Sequence, residues 1–327
     1  MSTAIEAVER TYAIHGTGLV LSSEDAAVGE AIDRRLASFR RRLDRPPELR
    51  IEFLVAGDGG PSRLADVTGP SRPVYDTPGG EILYAAGADT IHADVDGVGL
   101  RCRPAAGLAS IESSEYAGRR LYLAAHAVTT ICLIELFKRR GRFNLHAACL
   151  ARGGRGLLLA GPSGAGKSTL ALGLVRAGLS FLADDMVYLE PTPEAVEALA
   201  FPDAIGVTRR TAELFPELGG LVDRPVVAGF SKRLIRIQSV YPGVEVGRCV
   251  PAVLIFPELV DDGSSRIVGL DPGDALVRLV PDVLLTEPAD AQAQLRTFAA
   301  LVGQVSCHVL EAGADIAESI ELILRTI

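Results

Sequence analysis

The order of apolar and polar residues divides the chain into two halves of different character. Between residues 11 and 113 the pattern is typical of short β-strands, with predicted strands at residues 49–55, 81–85, 90–95 and 99–103. One amphipathic helix is predicted at residues 26–43, ending at the breaker Asp44-Arg45-Pro46-Pro47. The pattern therefore predicts a small α+β domain over residues 1–115. No motif in it carries chemistry, and we expect it to serve substrate recognition.

The second half contains longer apolar segments. A helix that is apolar on most faces is predicted at residues 117–140, because it closes with cations and Gly141, which suit a helix C-terminus. Buried strands are predicted at residues 143–150, 156–160, 179–189, 253–256 and 306–310, and further helices at residues 169–177, 290–301 and 314–325. We place the domain boundary just before the first of these helices. Residues 116–327 are thus expected to form an α/β domain.

Composition narrows the class of protein. A chain of 327 residues with 48% hydrophobic residues can bury a large core. The net charge of -8, with no basic cluster beyond short runs such as Arg40-Arg41-Arg42, gives no electrostatic reason to expect nucleic acid or an anionic membrane as partner. No early segment resembles a signal peptide, and no uninterrupted apolar run is long enough to span a bilayer. We therefore expect a globular, cytoplasmic protein.

Two residue types have informative counts. The five cysteines are widely scattered and never form a CxxC pair, which argues against a disulfide framework and against structural zinc. Reduced, buried thiols are expected at Cys102, Cys132, Cys149, Cys249 and Cys307. Lysine occurs at only three positions, and a site that needs a compact ammonium cannot accept a planar guanidinium without loss. The three lysines are therefore candidates for positions that need a compact ammonium group.

A glycine-rich segment lies between a predicted strand and a predicted helix. It runs Gly161-Pro162-Ser163-Gly164-Ala165-Gly166-Lys167-Ser168, and Thr169 opens the helix. This is the GxxxxGK[ST] pattern, in which backbone N–H groups surround phosphate oxygens, the lysine adds a point charge and the serine hydroxyl ligates Mg²⁺. A chance glycine-rich turn is the alternative, but the flanking strand and helix are the context that the motif requires. The segment predicts a nucleotide phosphate site.

An acidic pair, Asp184-Asp185, interrupts the apolar run at residues 179–189. Two unpaired carboxylates in a buried strand would each cost several kcal/mol, roughly, so a cation or donor must face them. Adjacent strand residues point to opposite faces, so a regular strand lets only one of the two look into a given cleft. A pair buried against arginines is the structural alternative. Closeness to the glycine-rich segment favours Mg²⁺ and hydroxyl chemistry.

Two further residues are candidates for the same site. His146 lies in the apolar stretch at residues 143–150 and, taken alone, would be a core histidine. Lys232 lies in the segment Gly229-Phe230-Ser231-Lys232-Arg233-Leu234. We predict that Lys232 reaches the γ-phosphate or its leaving oxygen as a charge clamp. The alternative is a solvated basic pair at the start of a strand.

Taken together, these residues resemble a known family, the bifunctional HPr serine kinase/phosphorylases of bacteria and their relatives, whose nucleotide core is shared with phosphoenolpyruvate carboxykinase. The matching order spans residues 145–189 and comprises Leu145-His146-Ala147, Gly153-Gly154, Leu157-Leu158-Leu159, the glycine-rich segment, Arg176-Ala177-Gly178 and Ala183-Asp184-Asp185. The resemblance implies an HPr kinase-like P-loop core. An acidic pair so soon after the loop separates this family from ordinary P-loop ATPases.

The resemblance also implies roles and ligands. Asp184, helped by His146, would accept the proton of an attacking serine hydroxyl, while Asp185 and Ser168 would hold Mg²⁺; the two aspartates could exchange these roles. ATP would be the donor, with GTP and pyrophosphate as alternatives, and the protein would form a homo-oligomer. The family's glycine-rich signature for phosphorolysis is replaced by residues 201–207, so phosphorylase activity is not implied. The first half resembles divergent relatives, including kinases of lasso-peptide precursors, more than HPr kinase itself.

The resulting hypothesis is a Mg²⁺-dependent kinase acting on a serine of a protein or peptide. A kinase of a sugar or another small alcohol belongs to the same class. A nucleotide-binding regulator or ATPase that transfers nothing to an acceptor belongs to a different one. A bare sensor needs one carboxylate on Mg²⁺ and would not need a second one with a histidine behind it, so the acidic pair favours transfer.

Overall fold

The computed structural model describes residues 7–57, 62, 64, 67–77, 79–201, 204–222, 226, 232–260, 263–283 and 285–327, with the backbone alone at 221 and 222. The chain forms two compact units. The first comprises the described residues up to Arg140 together with residues 285–290, and the second comprises the rest. The division thus falls after the apolar helix and not at residue 115, because that helix makes its contacts with the first unit.

The first unit is a mixed α/β structure around one sheet of eight strands. Its strands are Val8–Ile14 (β1), Thr17–Ser23 (β2), Leu49–Val55 (β3), Arg72–Thr77 (β4), Gly80–Ala85 (β5), Thr90–Val95 (β6), Val98–Arg103 (β7) and Leu108–Ser113 (β8). Its helices are Ala26–Arg35 (α1), Gly118–Tyr122 (α2) and Thr129–Lys138 (α3), with a π-helical segment Leu123–Val128 between the last two. The strand order is β1-β2-β3-β8-β7-β6-β5-β4.

The helix predicted at residues 26–43 is shorter in the structure. Its start is capped by the Asp25 carboxylate, which accepts the backbone N–H of Val28 at 3.1 Å. It ends at Arg35, and a short 3-10 turn follows at Ala37–Phe39. The chain then pairs with β1, where Arg41 N–H donates to the Thr11 carbonyl at 3.2 Å, so pairing with the sheet replaces helical hydrogen bonds at the end of the predicted range.

The apolar helix Gly118–Lys138 corrects one sequence expectation. Its 21 residues are long and apolar enough to cross a membrane by length and composition, and among the described residues it alone passes that test. Charged residues interrupt the apolar run of this helix, so the sequence did not indicate a possible membrane span there. In the structure 72% of its most apolar stretch is buried inside the protein, which is common for core helices.

A buried polar network joins this helix to the returning segment of residues 285–290. Thr286 Oγ1 donates to Glu135 Oε2 at 2.9 Å and accepts from Lys138 Nζ at 3.1 Å, while the Tyr75 hydroxyl donates to Glu135 Oε1 at 3.1 Å. Burial raises the pKa of Glu135 and lowers that of Lys138, and each shift is opposed by the charge of the other residue. The network satisfies polar groups that would otherwise be costly to bury.

The second unit is also mixed α/β. Its strands are Phe143–Leu145 (β9), Ala147–Arg152 (β10), Arg155–Ala160 (β11), Ser180–Ala183 (β12), Val187–Pro191 (β13), Val196–Ala200 (β14), Ile205–Val207 (β15), Arg233–Ile235 (β16), Arg248–Leu259 (β17), Arg266–Gly269 (β18) and Ser306–Ala312 (β19). Its helices are Lys167–Arg176 (α4), Arg209–Leu214 (α5), Gly219–Val222 (α6), Pro272–Leu279 (α7), Pro288–Gln304 (α8) and Ile316–Thr326 (α9), and the first residues of α8 group with the first unit.

The long strand β17 organises this unit. Residues 253–255 pair in parallel with both β11 and β19, while Arg248 and Cys249 at its start pair with β14. The sheet order is β12-β10-β11-β17-β14-β13-β9, with β19 and β18 branching from β17. Strand β17 therefore joins two groups of strands. One group contains β10, β11, β12, β18 and β19, and the other contains β9, β13 and β14.

Two hydrophobic clusters cover the two faces of β11. Leu157 and Leu159 belong to the cluster that contains buried residues of α4 and α9, whereas Leu158 and Ala160 belong to the cluster that contains residues of α7 and α8. A strand with both faces buried has no polar alternation, which explains the uninterrupted apolar run in the sequence. This packing fixes the strand end from which the glycine-rich loop leaves.

Candidate functional site

The glycine-rich loop connects the end of β11 to the first residue of α4. Gly164 and Gly166 both have φ near 90°, a conformation that side chains with a Cβ rarely adopt. Gly166 immediately precedes the helix, so the loop leads directly to helix N–H groups that have no partner within the helix. Loops of this geometry can hold an anion against the positive end of the helix.

Lys167 turns its side chain back into the loop. Its Nζ donates to the carbonyls of Gly161 at 2.6 Å and Pro162 at 3.1 Å, and lies 3.0 Å from Nε2 of His146. Burial lowers the pKa of Lys167, and the nearby Asp185 carboxylate opposes the shift. An ammonium can only donate, so Lys167 bonds His146 when Nε2 of the ring carries no proton.

Asp184 lies buried beside Ser168. Its Oδ2 accepts the Ser168 hydroxyl at 3.0 Å and the backbone N–H of Gly206 at 2.9 Å. Burial raises the pKa of this carboxyl to about 7, although both hydrogen bonds act in the opposite direction. Its Oδ1 is buried and has no hydrogen-bond partner in the described part of the chain. An unpaired carboxylate oxygen next to a serine hydroxyl is a donor set that suits a hard divalent cation.

Asp185 lies beside His146 and not beside Ser168. Its Oδ1 is 3.5 Å from Nε2 of His146, and 53% of its side chain is exposed, so solvent or a second substrate can reach it. The backbone N–H of His146 donates to Oδ2 of Asp282 at 3.1 Å. Burial raises the pKa of Asp282, with His146 and Lys167 opposing the shift. Asp282 belongs to the site, although no sequence motif had pointed to it.

The backbone explains how neighbouring aspartates reach different partners. The two strands predicted at residues 143–150 and 179–189 are both interrupted, one at His146 and the other at residues 184–186. Before and after these breaks the strands change partners, since β9 pairs with β13 whereas β10 pairs with β12. An irregular backbone is free of the alternation that a regular strand imposes. The predictions of two unbroken strands were therefore wrong, at the positions where the site forms.

Lys232 approaches from a separate segment. It immediately precedes β16, which pairs with β15, and it lines the same cavity as the glycine-rich loop. A Cβ on Gly206 would lie 2.9 Å from Lys232 Cδ, so the glycine leaves room for the lysine stem. Its charge acts to lower the pKa of both Asp184 and Lys167. Gly229, Phe230 and Ser231 of the predicted segment lie outside the described residues.

The cavity over the loop has a volume of about 270 Å³. Its lining includes residues 163–169, Asp185, Gly206 and Lys232, and it also includes the apolar residues Leu214, Leu259 and Ile316. Gly161, Pro162, His146 and Asp184 contact the loop residues through the hydrogen bonds given above. The structure thus brings the predicted site residues that it describes together. Leu214, Leu259 and Ile316 had not been predicted.

The metal-binding capacity of the site is partial. Over the described residues, no group of three or more histidine, cysteine or acidic side chains is arranged to hold a metal ion. Ser168 and Asp184 offer two oxygen ligands. Mg²⁺ commonly takes only one or two protein carboxylates and completes its shell with water and substrate phosphates. The residues present therefore fit a cation that arrives together with a nucleotide.

Neither a family model nor a curated protein matches this chain. Solved structures do match it, among them an HPr(Ser) kinase/phosphatase from Coxiella burnetii, which aligns over 56% of this chain and 88% of its own. The identity is 12% and the TM-score 0.30. A similarity at this level carries no weight for function, so we base the function on the geometry of the site.

Proposed function

We propose that this protein is a Mg²⁺-dependent phosphotransferase that moves the γ-phosphoryl group of a nucleoside triphosphate to a serine hydroxyl of a protein or peptide. The observation that carries the proposal is the hydrogen bond between Ser168 and Asp184 directly behind the glycine-rich loop, with Asp184 Oδ1 left unpaired. A second acidic residue stands at the open side of the same site. Phosphoryl transfer requires little more than such positioning and charge neutralisation.

In this proposal Asp184 and Ser168 hold the metal. Bound Mg²⁺ would neutralise charge on the phosphate oxygens. The distances favour Asp184 in this role, because Asp184 and not Asp185 contacts the Ser168 hydroxyl. This exchanges the roles that the resemblance to the HPr kinases implies most directly. The pKa of about 7 keeps Asp184 largely deprotonated above neutral pH, where it is ready to ligate a cation.

Asp185 then receives the acceptor. Its half-exposed carboxylate can accept a hydrogen bond from an incoming hydroxyl, orient it towards the phosphorus and take its proton late in the transfer. His146, at 3.5 Å, stands behind this carboxylate as a second proton-accepting group. Asp282 holds the backbone of His146 in place.

The two lysines would both supply positive charge to the transferred group. Lys167 would exchange the loop carbonyls of Gly161 and Pro162 for phosphate oxygens when a nucleotide binds, because both are acceptors for the same ammonium. Lys232 comes from a different segment of the chain and lines the same cavity. It would stabilise charge that develops on the γ-phosphoryl oxygens.

The acceptor and the setting rest on the residue order shared with the HPr kinases and on composition. We propose that the first unit recognises the serine-bearing protein or peptide, since the catalytic candidates all lie in the second unit. We also propose that the protein is a cytoplasmic homo-oligomer and that it binds neither nucleic acid nor a membrane. The net charge of -8 supports the absence of a polyanionic partner.

The direct test is transfer of label from γ-labelled ATP, in the presence of Mg²⁺, to a library of serine peptides. The matched control is the same library with each serine replaced by alanine. We expect label on serine peptides only, and none with the Lys167→Ala variant. Label that leaves ATP only as free phosphate would support an ATPase, and label on a sugar or small alcohol would support a small-molecule kinase.

A further inference from the structure

Part of the cavity lining is apolar and has no task in the transfer of phosphate. It includes three large aliphatic side chains from three separate elements: Leu214 from α5, Leu259 from the end of β17 and Ile316 from the start of α9. Leu214 is 44% exposed and Leu259 is 65% exposed. Apolar surface left in water beside a polar site is typical of a place that a ligand covers.

This apolar surface continues directly from the loop. The Cδ2 atom of Leu259 lies 3.8 Å from the position that a Cβ on Gly166 would occupy, beside the last glycine before α4. Asp185 and Lys232 line the same cavity. A ligand with its phosphates on the loop would therefore have the side chain of Leu259 beside it.

Several polar groups that line the cavity are already bonded within the protein. The N–H of Gly313 donates to Oγ of Ser265 at 3.1 Å, and Oγ of Ser319 lies 2.9 Å from the same oxygen. Thr211 Oγ1 is 2.9 Å from Thr208 Oγ1. These groups offer few fixed hydrogen bonds to the edge of a ligand ring. Arg210, which also lines the cavity, is exposed and belongs to the same short helix as Leu214.

We propose that Leu214, Leu259 and Ile316 contact the faces of the base of the donor nucleotide and that no specific hydrogen bonds form to the edge of the base. ATP and GTP therefore bind with similar affinity and both act as donors. The inference rests on the proposed function and adds the class of donor to it. An apolar pocket discriminates weakly between molecules of one shape, whereas a site built to hydrogen-bond a group rejects analogues that lack it. Purines bind more tightly than pyrimidines here, because a purine buries more ring surface.

Calorimetry of the full chain with Mg²⁺ tests this with four probes: ATP, GTP, CTP and inorganic tripolyphosphate. ATP and GTP are expected to bind within about threefold of each other, CTP more weakly, and tripolyphosphate about tenfold more weakly than ATP because it lacks a base. A preference of more than about tenfold between ATP and GTP, a difference that fixed hydrogen bonds readily produce, overturns the inference. An Arg210→Ala variant is expected to leave the ratio of the two affinities unchanged.

Substitutions at the apolar lining residues test where the base of the nucleotide binds. Leu214→Ser and Leu259→Ser are each expected to weaken ATP and GTP about fivefold while leaving tripolyphosphate binding within about twofold. Leu295→Ser is the control, since Leu295 is 41% exposed and does not line the cavity. Equal losses for ATP and tripolyphosphate overturn the base site and leave the phosphate site standing. The expected affinities without transfer to any acceptor would refute the phosphotransferase and uphold the base site.

Discussion

Among single residues, the two neighbouring aspartates have the most different surroundings. Asp184 is buried, with a hydroxyl and a backbone amide on one oxygen, while Asp185 is half exposed beside an imidazole. A buried carboxylate with an unpaired oxygen suits a metal, and an exposed carboxylate suits a substrate that enters and leaves. The chain places these environments at adjacent positions because the backbone is irregular there.

Asparagine at each position separates the two roles. Asp185→Asn is expected to keep Mg²⁺-ATP affinity within about twofold while lowering the transfer rate by about a hundredfold or more, since only proton acceptance and orientation are lost. Asp184→Asn is expected to weaken Mg²⁺-ATP binding and to leave Mg²⁺-free nucleotide binding unchanged. Calorimetry and single-turnover transfer check both. The opposite pattern would return Asp184 to the role of base.

The buried carboxyl of Asp184 also predicts a dependence of stability on pH. Its folded pKa of about 7 exceeds the ordinary value of 3.8, so the folded state binds the proton more tightly than the unfolded state does. The stability from this group is complete below pH 3.8 and is lost as the pH rises towards 7. A shift of this size corresponds to about 4 kcal/mol.

Urea unfolding without metal or nucleotide, at pH values from 4 to 8, measures this effect. The wild-type protein should lose unfolding free energy relative to Asp184→Asn across that interval, because asparagine has no proton to release. The difference between the two curves isolates this residue from other titrating groups. Parallel curves would show that Asp184 ionises in the folded protein as it does in water.

At the scale of secondary structure, the site forms where strands break. The sequence correctly predicted β3 and β6, the loop between β11 and α4, and the positions of α8 and β19, because each carries a local pattern. The breaks at His146 and at residues 184–186 could not be predicted, since they arise when strands exchange partners between distant segments. Asp282, Leu214 and Leu259 reach the site through the same long-range packing.

Gly206 in β15 offers a test at this scale. Its backbone N–H bonds Asp184, and a Cβ there would stand 2.9 Å from Cδ of Lys232. Gly206→Ala should displace the flexible lysine without breaking the strand, and lower the transfer rate about tenfold with little change in melting temperature. Gly247→Ala is the control, because nothing lies within 4 Å of the added Cβ. A fully active Gly206→Ala would indicate that Lys232 is only a solvated cation.

At the scale of the whole molecule, the candidate site belongs to one of the two units. The second unit contains the glycine-rich loop, the acidic pair and both lysines that line the cavity. It also contains the apolar lining residues Leu214, Leu259 and Ile316. The first unit has its own sheet and its own buried polar network, so it does not need the nucleotide to be complete. Nucleotide binding should therefore stabilise the two units unequally.

Hydrogen exchange of the full chain, with and without Mg²⁺-ATP, measures this inequality. Protection is expected to rise at residues 161–170, 184–186, 205–214 and 312–316, because ligand contacts suppress local opening there. The strands of the first unit should exchange at the same rate in both samples. Lys167→Ala with Mg²⁺-ATP serves as the control and should match the ligand-free pattern. Equal protection of the first unit would contradict a site confined to the second, because its residues could then gain protection only by contributing to the binding of the nucleotide.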